Sequence, residues 1–561
     1  MDHAMLMDYL LENAEERAVY FLDRQYGEES PYSGAVPAAD RFAPPEVRNT
    51  SIPLLELITL WLYPVSRFYA NPEIPISAER ALTYLKRVQR PSGNMDLSDC
   101  NFDSPPDSGF FLWDLIPLYR LLEKPGALNP GTALPAEITK AAAVLLGKVK
   151  ELIMPALEGI RTGGFHTANH RWVLASSLTA GYKLTGNEAY LERARQYLAE
   201  GLDCNEDGEY SERSAIYNAV NNEAMIMLFE ELGDKKYLSY VQRNLKMMVI
   251  FFEDDGSLFT GNSTRQDRGK KMYGGYYFYQ YLYIAHHLED EEAAKMAAFI
   301  ASDFIKSRRQ GGPSCLPSML LRPVLKFPAE QKKAFTLPDY NRYLKSSGVV
   351  RYKKGKFSFS LLHDNPTWLC FNHGTLSAYC RASFGYFHYG NATIKNLETL
   401  KDCYRFSFRA EGWYFEPLEK PASDLVNFRT EDHSVRRRQY PNYTELQITV
   451  RFPGEGRENG IDISFAATGI NGVHYCFEFV LPAGIPVSGD HFTLLPKPGD
   501  YILLKNGGIT LRDNTSCLSI RGGFADTDLF ATSRNSAPRS QEGFTLYMNG
   551  TSPFSRTVSI N

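Results

Sequence analysis

Two stretches decide the fold: TGNEAYLERARQYL at residues 185–198 and LGDKKYLSYVQRNL at residues 232–245, offset by 47. Each carries apolar residues at i, i+3 and i+4, the spacing that lines one face of a helix. Each is followed by an Asp-Gly turn, EDGEY from Glu206 and DDGSL from Asp254. A helix, a turn and a second helix recurring at this period describe stacked helical hairpins, as in a superhelical solenoid or a closed α/α toroid. Similar spacing in ERALTYLKRVQR and AEITKAAAVLLGKVKELI extends the helical pattern over the chain up to about residue 310. At the usual repeat length that span holds about six hairpins, a number that suits a toroid.

A Pro- and Lys-rich linker, LRPVLKFPAEQKKAFTLPDY, ends the helical pattern. Beyond about residue 340 the period becomes two, in KFSFSLLHD, YRFSFRAEGWYF, ELQITVRF, IDISFAATG, HYCFEFVL, YILLKNGGITLR and FTLYMNG. Turn clusters GINGVH, KNGG and RDNTS separate these runs. Many short strands without intervening helices predict a large antiparallel sandwich. The expected architecture is an α+β multidomain chain. An incomplete (α/α) toroid over residues 1–335 carries the catalysis, and a C-terminal antiparallel β-sandwich covers residues 336–561.

A chain of 561 residues is too long for one ordinary core, which agrees with this division. The net charge of −4 supplies no overall basic field, so nucleic acid is not the expected partner. An anionic ligand would need a local basic patch. The aromatic share of 13% suits clefts for sugar rings as well as large cores. None of the eight Cys forms a CxxC or CxH pair, so no zinc site, redox motif or disulfide scaffold is indicated, and buried free thiols are expected. The first residues, MDHAMLMDYLLENAEERAVYFL, are acidic and amphipathic and lack the basic and apolar regions of a signal peptide. No apolar run approaches membrane-spanning length, so a cytoplasmic protein with no membrane partner is expected.

The chemistry concentrates in GGFHTANHRWVLASSL, residues 163–178. Thr167 or Asn169 caps the helix that follows, which puts Asn169, His170 and Arg171 in or near its first turn, with Trp172 next. Free N–H groups and the positive dipole end at that terminus favour a bound anion. The alternative is a capped helix with solvated polar residues. His166 and His170 share the i, i+4 spacing of a helical metal pair, but no Glu follows the first His as a zincin requires, and no cofactor or metal is expected.

In EDGEYSERSAIYNAVNNEAM, residues 206–225, the Asp-Gly turn leads through Glu209 and Glu212 to Tyr217. Tyr217 follows His170 by one repeat period, and equivalent positions in adjacent hairpins line the same rim. That relation brings Asn169, His170 and Tyr217 together; a core tyrosine is the alternative. The loop one repeat later, DDGSLFTGNSTRQDRGKKMYGGYYFYQYLY, carries Arg265, Gln266, Asp267, Arg268, Lys270 and Lys271, either as the local positive charge of a site or as a solvated face. Asp107, in SPPDSGFFLWDL, lies on an earlier loop and suits a sugar hydroxyl. The sandwich offers His363, Asn372 and His373 in LLHDNPTWLCFNHGTLSAYCRASF, for a domain-interface cleft or as satisfied surface groups, and VRRRQY at residues 435–440 reads as a solvated face.

The toroid-then-sandwich order, ANH at residues 168–170 and DGEYSERSAIY at residues 207–217 together resemble the heparinase II/III-like polysaccharide lyases, a group that includes alginate and oligoalginate lyases. The resemblance implies that Asn169 binds a uronate carboxylate, that His170 acts in proton abstraction, and that Tyr217 acts as acid, or as acid and base. Many members carry a functional His on a Gly-His-rich strand at the start of the sandwich. This chain reads CFNHGTLSAYCR there, with His373 the best match.

The chemistry of such a reaction demands these residue types. Removing the C5 proton of a 4-linked uronate requires the carboxylate charge to be offset, and an amide with helix N–H groups stabilises the enolate-like state that follows. Abstraction needs a base near neutrality, and departure of the 4-oxygen needs a donor such as a phenol. The expected activity is therefore a lyase acting by β-elimination on a uronate-containing oligosaccharide. Expected substrate contacts are Asp107, His166, Arg171, Trp172, Glu212, Arg265 and Asp267. A glycoside hydrolase using two carboxylates drawn from Asp107, Asp207, Glu209 and Glu212 is the alternative, and a non-catalytic carbohydrate-binding toroid is a third.

Overall fold

Helices that bury every face and helices that bury one face alternate along the first half of the chain. The computed structural model describes residues 3–37, 44–131, 133–308, 313–327, 335–419, 429, 432–452, 460–528 and 533–561. Residues 328–334 of the predicted linker lie outside them. The chain divides into two units, Met1–Leu337 and Pro338–Asn561.

Among the described residues of the first unit, five helical hairpins follow one another. Their first helices are Val47–Leu62, Pro105–Glu123, Ala168–Thr185, Ala215–Leu232 and Tyr277–His287, and each packs on the next as an inner row. Their second helices, Glu73–Val88, Ala136–Thr162, Glu188–Ala199, Lys236–Met248 and Glu291–Ser307, pack outside their own partners. Composition explains the sorting. The inner helix Ala168–Thr185 buries almost every residue from Asn169 to Gly181, whereas the outer Lys236–Met248 buries one stripe that includes Leu238, Val241, Leu245 and Met248.

The expected sixth hairpin is absent among the described residues. His3–Arg24 and the short Leu316–Leu321 instead pack on each other and on Val47–Leu62. Pro317 at the start of Leu316–Leu321 and Pro323 just beyond it confine that helix to 6 residues. The toroid is thus incomplete.

The repeat is geometrically regular. Ala168–Thr185 and Ala215–Leu232 are both 18 residues long, and both end at a glycine in the left-handed region, Gly186 at φ 72 and Gly233 at φ 73. The Asp-Gly turn between them needs its glycine for space as well as conformation. Gly208 has φ +97, and a Cβ there would stand 2.6 Å from the Arg243 carbonyl oxygen.

The second unit is a two-sheet sandwich. One sheet runs from Tyr501–Leu503 through Phe544–Thr551, His474–Leu481, Leu376–Tyr386, Thr367–His373, Phe357–Leu362 and Val349–Lys354 to Tyr340–Leu344. The other is built on Cys403–Phe415, Arg438–Arg451, Ile461–Gly469 and Phe554–Ile560. Among the described strands, pairing is antiparallel except between Tyr501–Leu503 and Phe544–Thr551, and isolated parallel bridges join His363 to Ile394 and Ala525 to Asn549. Trp368 of the first sheet meets Phe406 and Phe465 of the second, with ring centroids 5.5 and 6.1 Å apart. YILLKNGGITLR, one run by its pattern, breaks at the Asn-Gly-Gly turn into Tyr501–Leu503 and Gly508–Arg512, which belong to different sheets.

Cys315, Cys380, Cys403 and Cys476 are buried and Cys100 is exposed. Among the described residues no helix is long and apolar enough to cross a membrane.

Candidate active site

Three segments of the helical unit meet around the first turn of Ala168–Thr185. Thr167 stands at the N-cap position in extended conformation but makes no side-chain cap bond. The cap comes from the next repeat. Glu212 Oε2 accepts the backbone N–H of Asn169 at 3.2 Å and its side-chain Nδ2 at 2.7 Å. The expectation of free N–H groups awaiting an external anion is corrected at this position: a carboxylate of the chain already sits on Asn169. Asn169 Nδ2 also donates to Thr167 Oγ1 at 3.2 Å, so both amide hydrogens are engaged. Asn169 is 0% exposed, and its Oδ1 is buried without a hydrogen-bond partner among the described residues.

His170 is 7% exposed, and its Nδ1 is likewise buried without a hydrogen-bond partner. Burial, reinforced by His166 and Arg265, lowers its pKa to about 3, so the imidazole is neutral at physiological pH. His166 is exposed, and its ring meets His170 edge-on with centroids 4.8 Å apart. Phe110, from Pro105–Glu123, approaches His170 from another side at 6.3 Å, and the Arg48 guanidinium lies 5.2 Å from the Phe110 ring centroid.

The loop at residues 260–270 lies along the loop at residues 205–214. Asn262 Nδ2 donates to Glu209 Oε1 at 2.9 Å, and Thr264 Oγ1 donates to the Glu212 carbonyl at 2.7 Å. Asp267 fixes the start of Ala215–Leu232. Its Oδ2 accepts Ser214 Oγ and the Ala215 N–H, each at 3.0 Å, while Oδ1 accepts Ser263 Oγ at 2.5 Å. Ser214 in turn accepts the Tyr217 N–H at 3.3 Å, completing an N-cap.

That anchoring sets Tyr217 on the first turn of its helix, half-buried. Its phenol oxygen accepts Gln266 Nε2 at 3.0 Å and Arg265 Nη2 at 3.4 Å. The Arg265 guanidinium also lies over the ring, 4.8 Å from its centroid, and its Nε is 3.7 Å from Glu212 Oε1. Burial raises the Glu212 carboxyl above its ordinary pKa, while the Asn169 hydrogen bond and Arg265 pull it back. Asn169, Glu212, Arg265 and Tyr217 therefore form one connected chain of polar contacts, with the His166–His170 pair on the same helix start as Asn169.

Other sequence candidates have different surroundings. Trp172 is 0% exposed, and its Nε1 donates to Asp203 Oδ1 at 2.9 Å, which makes it part of the core. Arg171 stacks on Trp172 at 4.5 Å and pairs with Glu200 at 3.0 Å and Asp203 at 3.4 Å. Asp267 is 1% exposed, and the bonds above occupy it structurally. Asp107 accepts Ser104 Oγ at 2.5 Å and Asn101 Nδ2 at 2.9 Å in the first turn of its own helix. His373 ends Thr367–His373 in the second unit, where burial and Lys356 lower its pKa. The sequence pattern assigns no role to Gln266, Phe110 or Arg48. Gln266 had no signal beyond its place in a charged loop, whereas Phe110 stands one helical turn after Asp107. Among the described residues no cluster of three or more His, Cys, Asp or Glu side chains could hold a metal ion.

No family model matches the chain, and no curated protein sequence matches it. Solved structures do. A xanthan lyase from Paenibacillus superposes with a TM-score of 0.54 at 9% identity, covering 100% of this chain and 57% of the lyase. This chain therefore spans little more than half the length of that enzyme. Heparan sulfate lyase HepC from Pedobacter heparinus gives a TM-score of 0.45 at 11% identity, over 98% of this chain and 82% of that one. Chondroitinase AC lyase gives 0.44 at 11% identity, over 100% and 82%. At such identities the xanthan lyase likeness shows a shared fold, a helical toroid followed by a β-sandwich.

Proposed function

We propose that the chain is a lyase that cleaves a 4-linked uronate by β-elimination, leaving an unsaturated uronate on the product, and that short oligosaccharides are its substrates. One observation carries the reading: two donors, Gln266 Nε2 and Arg265 Nη2, converge on the Tyr217 phenol oxygen. Preorganised donors aimed at an oxygen stabilise negative charge developing on it, which is what a proton-transferring phenol needs. Tyr217 takes the role of acid, or of acid and base. With its pKa lowered to about 3, the neutral His170 is a weaker base than C5 abstraction at neutral pH calls for, so removal of that proton falls to Tyr217, while His170 orients the sugar and Asn169 steadies the uronate carboxylate. Because both Asn169 amide hydrogens are engaged, that last role requires the carboxylate to displace Thr167 from Nδ2. Arg265 supplies the positive charge that the net −4 does not. His166 and Asp107 are proposed as substrate contacts.

The hydrolase alternative needs two carboxyl groups available across a cleft. Of the four candidates Asp107, Asp207, Glu209 and Glu212, the three carboxylates of Asp107, Glu209 and Glu212 already hold polar groups of the chain, which favours the phenol-centred reading. Product masses test the choice. Elimination splits the substrate without adding water, so the fragment masses sum to that of the substrate. Fragments that together exceed it by one water would replace the lyase with a hydrolase.

A further inference from the structure

Glu212 stands where two halves of the proposed site meet. Through Oε2 it holds the backbone and side-chain N–H groups of Asn169, at 3.2 and 2.7 Å. Through Oε1 it faces Arg265 Nε at 3.7 Å, and the other end of that guanidinium reaches Tyr217. Its own carbonyl accepts Thr264 Oγ1 at 2.7 Å, so the loop that delivers Arg265 also grips the Glu212 backbone. The side chain is 9% exposed, which leaves little room for it to touch a ligand.

Two consequences follow from chemistry alone. An ionised carboxylate only accepts hydrogen bonds, so Glu212 dictates which way the Asn169 amide is rolled: Nδ2 toward Glu212, Oδ1 away from it. A negative charge beside Arg265 also offsets part of the positive charge that the guanidinium presents to the Tyr217 oxygen. We propose that Glu212 is a positioning residue that sets the orientation of the Asn169 amide and moderates the effect of Arg265 on Tyr217, coupling the two halves of the site without contacting substrate. It rests on the lyase reading for its role in turnover, but not for the coupling itself.

The charged and titratable groups around this coupling come from each adjoining segment: Arg265 and Asp267 from the 260–270 loop, Asp203 from the turn before Glu212, and His166 and His170 from the Ala168 helix start. Replacing Glu212 by Gln preserves shape and an acceptor for Asn169 Nδ2 but removes the negative charge. Arg265 then acts on the Tyr217 oxygen unopposed.

The test begins without substrate. Protein labelled with 13C at the tyrosine ring carbon bearing oxygen is titrated by NMR, and the Tyr217 signal is assigned by its loss in Tyr217→Phe. In Glu212→Gln the titration of Tyr217 moves to lower pH, by about half a pH unit or more. In Glu212→Asp, which keeps the charge, it stays within that margin of the parent. An unchanged Tyr217 titration in Glu212→Gln overturns the coupling, whatever reaction the protein performs. With a substrate in hand, Glu212→Gln lowers kcat about 10- to 100-fold while KM changes less than about threefold, and the alkaline limb of the rate profile moves with the NMR titration. A kcat that falls only in proportion to the folded fraction, with the profile unmoved, assigns Glu212 to folding alone. Absence of elimination by the parent protein would defeat the lyase reading and leave the NMR result standing.

Discussion

The Arg265 guanidinium covers the ring of Tyr217, with Cζ 4.8 Å from the centroid, while its Nη2 reaches the phenol oxygen at 3.4 Å. One cation thus contacts both the face and the polar tip of one tyrosine. Tyr217→Phe leaves the ring in place and removes the group that transfers the proton. It is expected to reduce elimination about 100- to 10,000-fold with little change in thermal stability, since the residue is only half-buried. Retained turnover in this variant would remove Tyr217 from the reaction.

Arg265→Met keeps length and ring contact but removes the charge and the hydrogen bond. Loss of one preorganised donor is expected to lower kcat about 100-fold. Measuring kcat and KM separately checks this, because a cation that served only to bind the substrate would change KM alone.

Asp267 separates structure from binding. Its carboxylate accepts Ser263, Ser214 and the Ala215 N–H at the head of the helix that carries Tyr217. Asp267→Ala strands these buried donors and is expected to cost about 2–4 kcal/mol in denaturant unfolding. A variant as stable as the parent but raised in KM would return Asp267 to substrate binding.

His170 makes the fold acid-sensitive. Burial holds its pKa at about 3, against 6.5 for the free group. Between these values the unfolded chain binds a proton that the folded chain does not, so stability falls as pH drops below 6.5. The slope for one proton is about 1.4 kcal/mol per pH unit. His170→Gln should lack this component when unfolding is compared at pH 5 and 7.5; an identical pH slope would contradict it.

Glu223, deeper on the same helix as Tyr217, acts in the opposite sense. Burial raises its pKa to about 7, with Glu230 adding to the rise and Arg322 opposing it. Between 4.5 and 7 the folded chain binds a proton that the unfolded chain has released, so this contribution to stability is lost as pH rises through that window. Glu223→Gln should therefore become more stable relative to the parent as pH rises from 5 to 8, measured by the same unfolding series.

The helical half was legible because a repeat of 47 residues constrains a whole layer at once. The two inner helices that carry His170 and Tyr217 have the same length and the same glycine stop, and so place these residues at matching positions. The strands were legible from period two, except where one run turned out to serve both sheets. The site was legible only in part. Periodicity locates Asn169, His170 and Tyr217, but it does not say which partner each polar atom takes. Glu212 reaches back 43 residues to Asn169, and Gln266 reaches back 49 to Tyr217. Such contacts depend on how two loops lie across each other, which local pattern does not encode. Trp172 and Arg171 look like ligand groups in sequence because they adjoin His170, yet the helix turns them toward Asp203.

The most direct test of the central claim is ultraviolet absorbance during incubation with a panel of uronate oligosaccharides, run in parallel on the parent protein and Tyr217→Phe. Elimination creates a C4=C5 double bond conjugated to the carboxylate, which absorbs, whereas hydrolysis creates none. The account predicts rising absorbance with at least one uronate for the parent and a trace at least 100-fold slower for Tyr217→Phe, by the loss of one acid–base group. A flat parent trace with new reducing ends, or an equal rise in both proteins, would contradict it.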